Sequence, residues 1–390
     1  MNRRVVFVTE EYPPVPGGVA TSSQRVAQSL TAAGCEVLVL TFDCTRPLSS
    51  SDYEVEARDA GVRVVSYGPF FHRCADAQVD SLNAARRALF RRRVYDRMEA
   101  AAGAFAPQVV LSFYAENAGL LGSYLSRSLE VPHVASIRGN DIGGNMFSPE
   151  QLPILQTVVA SSAHLTCVNT YLHRRLGIAF PETRGRSSIV FNAVRLPEFP
   201  AAAAATGDVP VCAFVGALRE KKGLRTLVEA FSRALGQRPL RLEVIGAEPQ
   251  PADLAGVAEL WAHLRAAGHL RVTGHRCRSE ALALASRADL ILMPSLDDGL
   301  ANGLLEGMAL GKCVIATEIF TDVVEHDVTG WVIRKGDPQA LAEAILRLVA
   351  DPARRAALGT AAQAHAQARF SPEREAADYL EIFERVTARA

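Results

Sequence analysis

Paired cysteines, long hydrophobic runs and a surplus of either charge are all missing from this chain of 390 residues. Its 7 cysteines are scattered without C-x-x-C spacing, which excludes a disulfide framework or a zinc knuckle and favours a reducing compartment. Lys plus Arg and Asp plus Glu each total 42, and this balance argues against a nucleic-acid-binding protein. No apolar run reaches the roughly 20 residues that a membrane span needs, and Val5–Val8 is too short for a signal peptide. We therefore expect a cytoplasmic protein with no nucleic-acid partner.

The order of apolar segments predicts an α/β protein of two or three domains, at about 150 residues per domain. Short apolar runs alternate with segments of helical period, which is typical of parallel sheets covered by helices on both faces. The predicted strands of the first half are Val5–Thr9, Cys35–Thr41, Val62–Tyr67, Gln108–Phe113, His133–Arg138, His164–Asn169 and Ser188–Phe191. Those of the second half are Val211–Val215, Leu240–Ile245, Leu270–Thr273, Leu290–Met293, Cys313–Ala316 and Trp331–Ile333.

A change of composition at residues 196–210, LPEFPAAAAATGDVP, indicates a linker. The chain is thus predicted to form two doubly wound Rossmann-like domains, residues 1–195 and 211–371, followed by a final helix over residues 372–390. Ligands of parallel sheets bind beyond the carboxyl ends of the strands. Two such sheets facing each other would form a ligand-binding cleft.

Two loops that follow predicted strands carry residues suited to a bound phosphate. In the first loop Gly17 and Gly18 let the backbone approach a ligand at the start of a helix, although a plain loop has the same pattern. There is no G-x-G-x-x-G, so a nicotinamide site is not supported. The second loop, VGALREKKG, holds Lys221 and Lys222, two of the four lysines in the chain, beside Arg219. Cations between a strand and a helix suit a diphosphate, and the alternative is a solvated turn.

A third loop and helix, PSLDDGLANGLLEGMALG over residues 294–311, spaces Asp298 and Glu306 eight residues apart. Asn302 is the predicted N-cap, so the helix N-terminus near Gly303 would direct its dipole at a leaving phosphate. Glu306, one turn into the helix, would reach a ribose hydroxyl. The alternative for an acidic pair on a loop is exposure to solvent.

Together these three segments resemble a retaining glycosyltransferase of the two-Rossmann GT-B fold, family 4 (glycosyl transferases group 1). In that family a Gly-Gly loop follows the first strand, and a G-R-L-x-x-x-K-G run binds the donor diphosphate. A pair E-x7-E lies in the pattern PS-x-x-E-G-x-x-N-x-L-L-E-A-M-A-x-G. The FNAV at residues 191–194 resembles the family's hinge, and the final helix would by resemblance cross back onto the N-terminal domain. The resemblance covers nearly the whole chain.

The resemblance implies a set of site residues, which we state here as expectations. The expected catalytic residues are Asp298, Arg138 and Lys222. The expected donor-binding residues are Gly17, Gly18, Arg219, Lys222, Gly274, His275, Gly299, Leu300, Ala301, Gly303, Leu304 and Glu306. The expected acceptor-side residues are Glu116, Asn117, Arg138, Asn140 and Asp141.

In the C-terminal half, three positions depart from the family pattern. The arginine of the diphosphate motif falls on Ala217, and Arg219 is the expected substitute. Asp298 stands where the family has the first glutamate of its acidic pair. The family's last Gly-Gly loop falls within residues 318–322, which form a shorter segment.

In the N-terminal half, the family's histidine falls on Arg138. An ion pair with Asp141 and a contact with the acceptor or a phosphate both stay open for its guanidinium. His133 lies five residues earlier on the same strand, so it faces the opposite side and is expected in the core or at an edge.

The resemblance implies transfer of a hexose from a UDP- or GDP-linked donor to an acceptor with retention of anomeric configuration. Cations and amides placed in advance would stabilise the charge on the departing diphosphate. No D-x-D sequence occurs, so we expect no metal and no cofactor besides the nucleotide-sugar co-substrate. A sugar-nucleotide epimerase or phosphorylase-like enzyme, or a non-catalytic nucleotide-sugar-binding protein, stays open as an alternative. The acceptor, whether a glycan, a lipid-linked or a small molecule, is not predicted.

Residues 81–100 contain a run of arginines. A solvated helix face is the simpler interpretation, and docking on anionic lipid is the alternative, which would make the protein membrane-peripheral. The arginines concerned are Arg86, Arg87, Arg91, Arg92, Arg93 and Arg97.

Overall fold

The computed structural model describes residues 3–15, 17–42, 53–68, 81–195 and 209–389, with the backbone alone for residues 53 and 81–91. The chain divides into two compact units, residues 1–192 together with 372–390, and residues 193–371. Each unit is a mainly parallel sheet with helices along the chain between its strands, which confirms the predicted α/β class with two Rossmann-like units. Most of the predicted linker lies outside the described residues. Within the described ranges, no helix combines the length and apolar character that a bilayer crossing needs.

Strands and helices alternate along both units. The strands of the first unit are β1 Arg3–Thr9, β2 Cys35–Phe42, β3 Tyr53–Asp59, β4 Val62–Gly68, β5 Val109–Phe113, β6 His133–Ile137, β7 His164–Cys167 and β8 Ser187–Ile189. Those of the second unit are β9 Val211–Val215, β10 Arg241–Ile245, β11 Leu270–Val272, β12 Leu290–Met293, β13 Cys313–Thr317 and β14 Trp331–Ile333. The helices are α1 Gly18–Ala32, α2 Ser81–Phe105, α3 Asn117–Ser128, α4 Asn140–Gly143, α5 Leu152–Ser161, α6 Thr170–Ala179, α7 Leu224–Leu235, α8 Ala258–Ala266, α9 Arg278–Ala285, α10 Asn302–Ala309, α11 Pro338–Ala350, α12 Pro352–Arg369 and α13 Pro372–Thr387. Short 3-10 turns occur at Asn145–Phe147, Pro181–Thr183, Glu220–Lys222 and Glu318–Phe320.

The sheet of the first unit has the order β3-β4-β2-β1-β5-β6-β7-β8 among the described strands. All neighbours pair in parallel except β3, which runs antiparallel to β4 at the edge. The sequence analysis did not predict β3, whose residues YEVEARD alternate charged and apolar side chains and are mostly exposed. An edge strand that faces water lacks the continuous apolar run that identifies a buried parallel strand.

Both faces of this sheet are buried, which is why its central strand is apolar without interruption. The side chains of Val5–Val8 are fully buried on β1, which lies between β2 and β5. On one face Phe7 packs in a cluster with Tyr379 of α13 and residues of α1. On the other face Val6 packs with Met98 of α2 and Leu121 of α3. The last helix of the chain is thus part of the core of the first unit.

The sheet of the second unit is parallel throughout, in the order β11-β10-β9-β12-β13-β14 among the described strands. Two of its helices, α11 and α12, begin at an aspartate N-cap. The Asp337 side chain accepts a hydrogen bond from Ala340 N at 2.9 Å, and Asp351 accepts one from Arg354 N at 2.8 Å. A proline follows each of these N-caps as the first helical residue, where its missing N–H costs nothing.

A bidentate ion pair joins α1 to α13 inside the first unit. The Nε and Nη2 atoms of Arg25 donate to the two carboxylate oxygens of Glu375 at 2.8 and 2.9 Å. The Glu375 side chain is only 2% exposed and that of Arg25 is 11% exposed. Removing one partner of such a pair leaves a buried charge without compensation, which is strongly destabilising.

We predict that Glu375→Ala lowers the free energy of unfolding of the first unit by about 3 kcal/mol, because the Arg25 guanidinium loses its buried partner. Urea unfolding, with amide exchange along α13, measures this loss. Glu381→Ala is the matched control, since Glu381 pairs with Arg385 on the exposed side of the same helix. Its cost should stay below about 1 kcal/mol. Equal losses in the two variants would contradict the assigned role of the Arg25–Glu375 pair.

Candidate functional site

In the second unit, two of the predicted loops leave the same edge of the sheet and are held together. The strands β9 and β12 are parallel neighbours, so the loops that follow them start side by side. The backbone amides of Leu296 and Asp297 donate to the carbonyl oxygen of Lys221 at 2.9 and 3.2 Å. Gly223 has a φ of +79°, and a Cβ there would overlap the carbonyl group of Pro294. Only glycine allows the two loops to approach this closely.

Because the loops are joined, Lys222 and Asp298 form an ion pair. Lys222 Nζ donates to Asp298 Oδ2, and the Ser295 hydroxyl donates to the same oxygen at 3.5 Å. The side chains of Lys222 and Asp298 are 22% and 12% exposed, so the pair is accessible from one side. Burial lowers the pKa of the neighbouring Lys221, and the Lys222 charge lowers it further. The structure thus brings together a cation and an acid that the sequence placed in separate motifs.

Further positive charge lies beside this pair. Arg219 is exposed and immediately precedes the turn Glu220–Lys222, and its charge also lowers the pKa of Lys221. Ala217, which stands at the family's arginine position, is exposed as well. Arg219 therefore lies close to the Lys222–Asp298 pair, and its role as the substitute cation stays a prediction.

Helix α10 begins directly against the end of β9. A Cβ at Gly303 would lie 2.6 Å from the carbonyl oxygen of Val215, so glycine is required for this approach as well. The N-cap residue is Ala301 and not the predicted Asn302, which is the first helical residue, and no side chain caps the helix. The side chains of Leu300, Ala301 and Leu304 are buried, so at these three positions a ligand would meet backbone and not side chains. Gly299 is buried beside them.

Glu306, one turn into α10, is paired with a residue that the sequence analysis missed. Arg278 Nε donates to Glu306 Oε1 at 3.0 Å, and Arg278 Nη2 donates to the Arg195 carbonyl oxygen at 2.8 Å. The Glu306 side chain is 13% exposed. Arg278 opens α9, just after the loop that contains the predicted Gly274 and His275. His275 is exposed and Gly274, with a φ of +74°, is partly buried.

In the first unit, the residues that follow β1, β5 and β6 form a polar network. Glu10 Oε1 accepts hydrogen bonds from the backbone and side-chain amides of Asn117 at 3.0 and 3.3 Å. Glu116 Oε1 accepts from the side-chain amide of Asn145 at 2.7 Å, and Asn145 in turn accepts from Asn140 at 2.9 Å. Predicted acceptor-side residues thus lie in one network, to which the sequence analysis had not assigned Glu10 or Asn145.

Two carboxyl groups of this network titrate far above their ordinary range. Burial, and secondly the charge of Glu116, raise the pKa of Glu10 from 4.5 to about 7. Burial and Glu116 likewise raise the pKa of Asp141 to about 6. Asp141 accepts hydrogen bonds from the backbone amides of Ala115 and Arg138, which ties the loop after β6 to the loop after β5. Asp141 therefore has a structural position, whereas Glu10 and Glu116 offer carboxylate oxygens beside amide groups.

The Gly17–Gly18 segment forms the start of α1. Gly17 has a φ of +150° and precedes the helix, and its carbonyl oxygen accepts from the backbone amide and the hydroxyl of Thr21 at 3.1 and 3.0 Å. A Cβ at Gly17 would lie 3.1 Å from a carboxylate oxygen of Glu11. The backbone here follows the family pattern, and its contact with a donor stays a prediction.

Arg138 is buried on the α1 and α13 side of the sheet. Its guanidinium lies 4.0 Å from the centre of the Phe113 ring, and Nη2 donates to the Asn192 side chain at 2.7 Å. Its Nη1 atom and the hydroxyls of Ser136 and Tyr379 are buried without a hydrogen-bond partner in the described part of the chain. Of the two open interpretations, the guanidinium is not paired with the Asp141 carboxylate, which instead accepts from the Arg138 backbone amide.

His133 points to the other face of β6, where it is fully buried. Its Nε2 lies 2.8 Å from the Ser112 hydroxyl, and its Nδ1 lies 3.2 Å from that of Ser162. Burial lowers the pKa of His133 to about 3, so the imidazole is neutral at physiological pH. This is the core position that the alternation of the strand predicts.

Two further expectations concern metal binding and the arginine-rich segment. Among the described residues, no group of three or more His, Cys, Asp or Glu is placed to hold a metal ion. The arginine-rich segment is helical within α2, and Arg92, Arg93 and Arg97 are exposed. The side chains of Arg86, Arg87 and Arg91 lie outside the described residues.

Comparison with known proteins covers both halves of the chain. Residues 209–351 match the family model "Glycosyl transferases group 1", and residues 17–186 match "Glycosyl transferase 4-like domain". The chain is 25% identical, over 95% of both proteins, to a GDP-mannose-dependent monoacylated alpha-(1-6)-phosphatidylinositol monomannoside mannosyltransferase of Corynebacterium glutamicum. The fold of this chain is similar to that of sucrose-phosphate synthase from Thermosynechococcus elongatus, with a TM-score of 0.75, 17% identity and full coverage of both chains. The Anabaena protein HepE, in complex with UDP and glucose, has a TM-score of 0.69 and 18% identity over 98% of this chain and 100% of that one.

We predict that Glu10 makes stability fall with rising pH. The folded state holds a proton on Glu10 up to about pH 7, whereas the unfolded chain releases it near 4.5. Because the unfolded state binds fewer protons in that window, the stability present below pH 4.5 is lost as the pH rises through 7. Glu10→Gln should therefore gain on the order of 2 kcal/mol relative to wild type between pH 5 and pH 8.

Urea unfolding at the two pH values measures this difference. Glu130→Gln, at an exposed position, is the matched control and should keep the pH dependence of the wild type. A difference between Glu10→Gln and wild type that is the same at pH 5 and pH 8 would contradict the raised pKa.

Proposed function

Since the chain is a family 4-like glycosyltransferase of group 1 with the GT-B fold, we propose that it moves a hexose from a UDP- or GDP-linked donor to an acceptor hydroxyl. We further propose that the anomeric configuration is retained and that no metal or other cofactor takes part. The observation that carries the proposal is the Lys222–Asp298 pair at the joined loops of the second unit. Both residues lie within the segment that matches the group 1 model.

The donor diphosphate is proposed to exchange for the Asp298 carboxylate as the partner of Lys222. Without a ligand, the Asp298 carboxylate pairs with Lys222, and the charges of Asp298 and Asp297 act on the neighbouring Lys221 beside Arg219. A diphosphate brings more negative charge and several acceptor oxygens, so it satisfies these cations better than one carboxylate does. The N-terminus of α10 lies against the end of β9 at the same edge and adds its dipole.

Once Lys222 turns to the phosphate, Asp298 is released to accept hydrogen bonds from the hydroxyls of the donor sugar. Glu306 is proposed to bind the ribose, and Arg278 holds its carboxylate in place through the 3.0 Å contact. Each acid therefore has a cationic partner that positions it before the donor arrives. Gly274 and His275, in the loop that leads to Arg278, are proposed to meet the base of the nucleotide.

The proposed chemistry depends on charge stabilisation. Departure of the diphosphate leaves positive charge on the sugar and negative charge on the leaving group. Cations and helix amides arranged in advance lower this barrier without reorganisation during the reaction. The acceptor hydroxyl would attack from the side of the leaving group, whose phosphate oxygen takes the proton. No side chain of this chain is needed as a nucleophile in that scheme.

The first unit is proposed to bind the acceptor. Glu10, Glu116 and the amides of Asn117, Asn140 and Asn145 form a network of acceptors and donors that suits a hydroxyl-rich molecule. The similar mannosyltransferase is named for GDP-mannose and a phosphatidylinositol mannoside, and the similar Anabaena structure contains UDP and glucose. These relatives support both nucleotides as candidates and a glycan or glycolipid as the acceptor class.

One alternative has a specific observation in its favour. Arg138 occupies the family's histidine position but is buried beside Phe113 and Asn192. A chain that lost a catalytic group there could bind nucleotide sugars without transferring them. An epimerase or phosphorylase-like enzyme on the same fold is the other alternative. Release of nucleoside diphosphate with and without candidate acceptors separates transfer from both.

We predict that Lys222→Ala and Glu306→Ala each reduce kcat/KM for the donor at least tenfold, since each loses at least about 1.4 kcal/mol of transition-state stabilisation. Release of nucleoside diphosphate measures the rate. Lys312→Ala is the matched control, because Lys312 immediately precedes β13 and so lies at the amino end of a strand. Thermal unfolding checks that all three variants are folded. Wild-type rates in both site variants would show that the donor binds elsewhere.

We also predict that either UDP or GDP raises the melting temperature, because a ligand held at one hundred times its dissociation constant stabilises the folded state by about 2.7 kcal/mol. A thermal-shift series with both nucleotides measures the effect. Lys222→Ala should reduce the shift, whereas Lys312→Ala should leave it unchanged. No shift with either nucleotide up to millimolar concentration would contradict the proposed donor class.

A further inference from the structure

The first unit carries two large apolar side chains that face water. Phe147, at the end of the turn Asn145–Phe147, is 74% exposed, and Ile178, near the end of α6, is 68% exposed. They are the most exposed large hydrophobic residues of the described chain. The mechanism proposed above uses neither of them. Exposing both costs free energy unless something covers them.

Ile178 lines two grooves. One has a volume of about 520 Å³ and is lined by Ile178, His173, Arg174, Arg184, Gly185 and Ser187. The other has a volume of about 500 Å³ and is lined by Ile178, Met146, Leu152, Gln156, Arg175 and Ala179. Met146, which directly precedes Phe147 in the chain, lines the second groove together with Ile178. The surface defined by the two grooves and Phe147 is therefore linked through Ile178 and Met146.

This surface is positively charged in a chain whose total charge is zero. Residues 173–186 contain four arginines and the single acid Glu182. Arg174 and Arg184 are exposed, and in the described part of the chain neither guanidinium has a hydrogen-bond or ion-pair partner. Positive charges in this part of the unit also act on His164. Its pKa is lowered to about 4 by burial and by the charges of Arg385 and Arg186, among others.

The arginine-lined groove of this surface lies away from the candidate site of the same unit. Arg184 and Gly185 precede β8, and Ser187 is its first residue, level with Leu165 near the start of β7. This is the amino-end side of parallel strands. The polar network around Glu10 and Glu116 follows the carboxyl ends of β1 and β5 instead. The two exposed arginines therefore lie away from that network, whereas Phe147 shares its 3-10 turn with Asn145, which belongs to the network.

We propose that this docking face, defined by Phe147, Ile178, Arg174 and Arg184, lies against an anionic lipid bilayer. Exposed aromatic and aliphatic side chains enter the boundary between headgroups and acyl chains, where they leave water. Unpaired guanidinium groups bind lipid phosphates, often through two hydrogen bonds each. A soluble phosphate would occupy the cationic groove but would leave Phe147 in water, so the combination of features favours a membrane. The inference concerns where the protein resides and does not depend on the donor chemistry proposed above.

Sedimentation of the full chain with vesicles tests the docking face. Vesicles of phosphatidylcholine alone are compared with vesicles in which about 30% is phosphatidylglycerol. Two basic residues near an anionic surface contribute roughly 30-fold in binding, so Arg174→Glu/Arg184→Glu should weaken binding to the anionic vesicles at least tenfold. Phe147→Ser/Ile178→Ser should weaken binding to a similar extent. Added salt should reduce binding of the wild type.

Arg238→Glu/Arg287→Glu is the matched control, because it makes the same charge change at exposed positions of the second unit. It should bind within twofold of wild type. Circular dichroism and thermal unfolding confirm that each variant is folded. The proposal is overturned if the wild type binds neutral and anionic vesicles alike, or if the control loses as much binding as Arg174→Glu/Arg184→Glu. Loss of binding in Arg92→Glu/Arg97→Glu alone would overturn it in favour of the arginine-rich helix.

Discussion

The close approach of two loops in the second unit is the constraint on which the candidate donor site depends. The Lys221 carbonyl oxygen accepts both the Leu296 and the Asp297 amide, and Gly223 removes the side chain that would collide with Pro294. These contacts lie between loops of neighbouring parallel strands, so the sheet itself sets their separation. A site built in this way is positioned by backbone, and its side chains need only turn to meet a ligand.

The charges of the site are balanced before any ligand binds. Lys222 faces Asp298, and Arg278 faces Glu306, with both acids mostly buried. Partly buried charges are costly without a partner, so this arrangement keeps the empty site stable. A ligand that binds Lys222 must therefore supply a negative charge in place of the Asp298 carboxylate. A diphosphate can do this at Lys222 because it carries its own negative charge, whereas a neutral sugar cannot. The pairing therefore favours charged donors over free sugars in the proposed function.

Much of this arrangement follows from the sequence, but not all of it. Buried parallel strands such as Val5–Val8 and Leu290–Met293 are recognisable from their uninterrupted apolar residues. The loops that follow such strands contain residues of the candidate sites. The pairing of Arg278 with Glu306 was not predicted, because the two residues are 28 positions apart and Arg278 belongs to a helix whose position only the folded sheet defines. The strand Tyr53–Asp59 escaped prediction because it faces water at an edge and alternates charged residues. Such features depend on neighbours distant in sequence, which periodicity does not report.

The burial of Arg138 is a further feature that the sequence pattern did not predict. It determines which groups the Arg138 guanidinium contacts in the first unit. An arginine at the end of an apolar strand would ordinarily turn to water, yet here it is buried among Phe113, Asn192 and Tyr379. Tyr379 belongs to α13, the last helix of the chain, so only the complete first unit creates this environment. Burial of a guanidinium is tolerated because the Phe113 ring and the Asn192 carbonyl oxygen meet its charge. A cation held in this way contributes to the packing of β6 against α13. In the proposed function, the carboxylates and amides around Glu116 and Asn140 are the groups of this unit that would contact an acceptor.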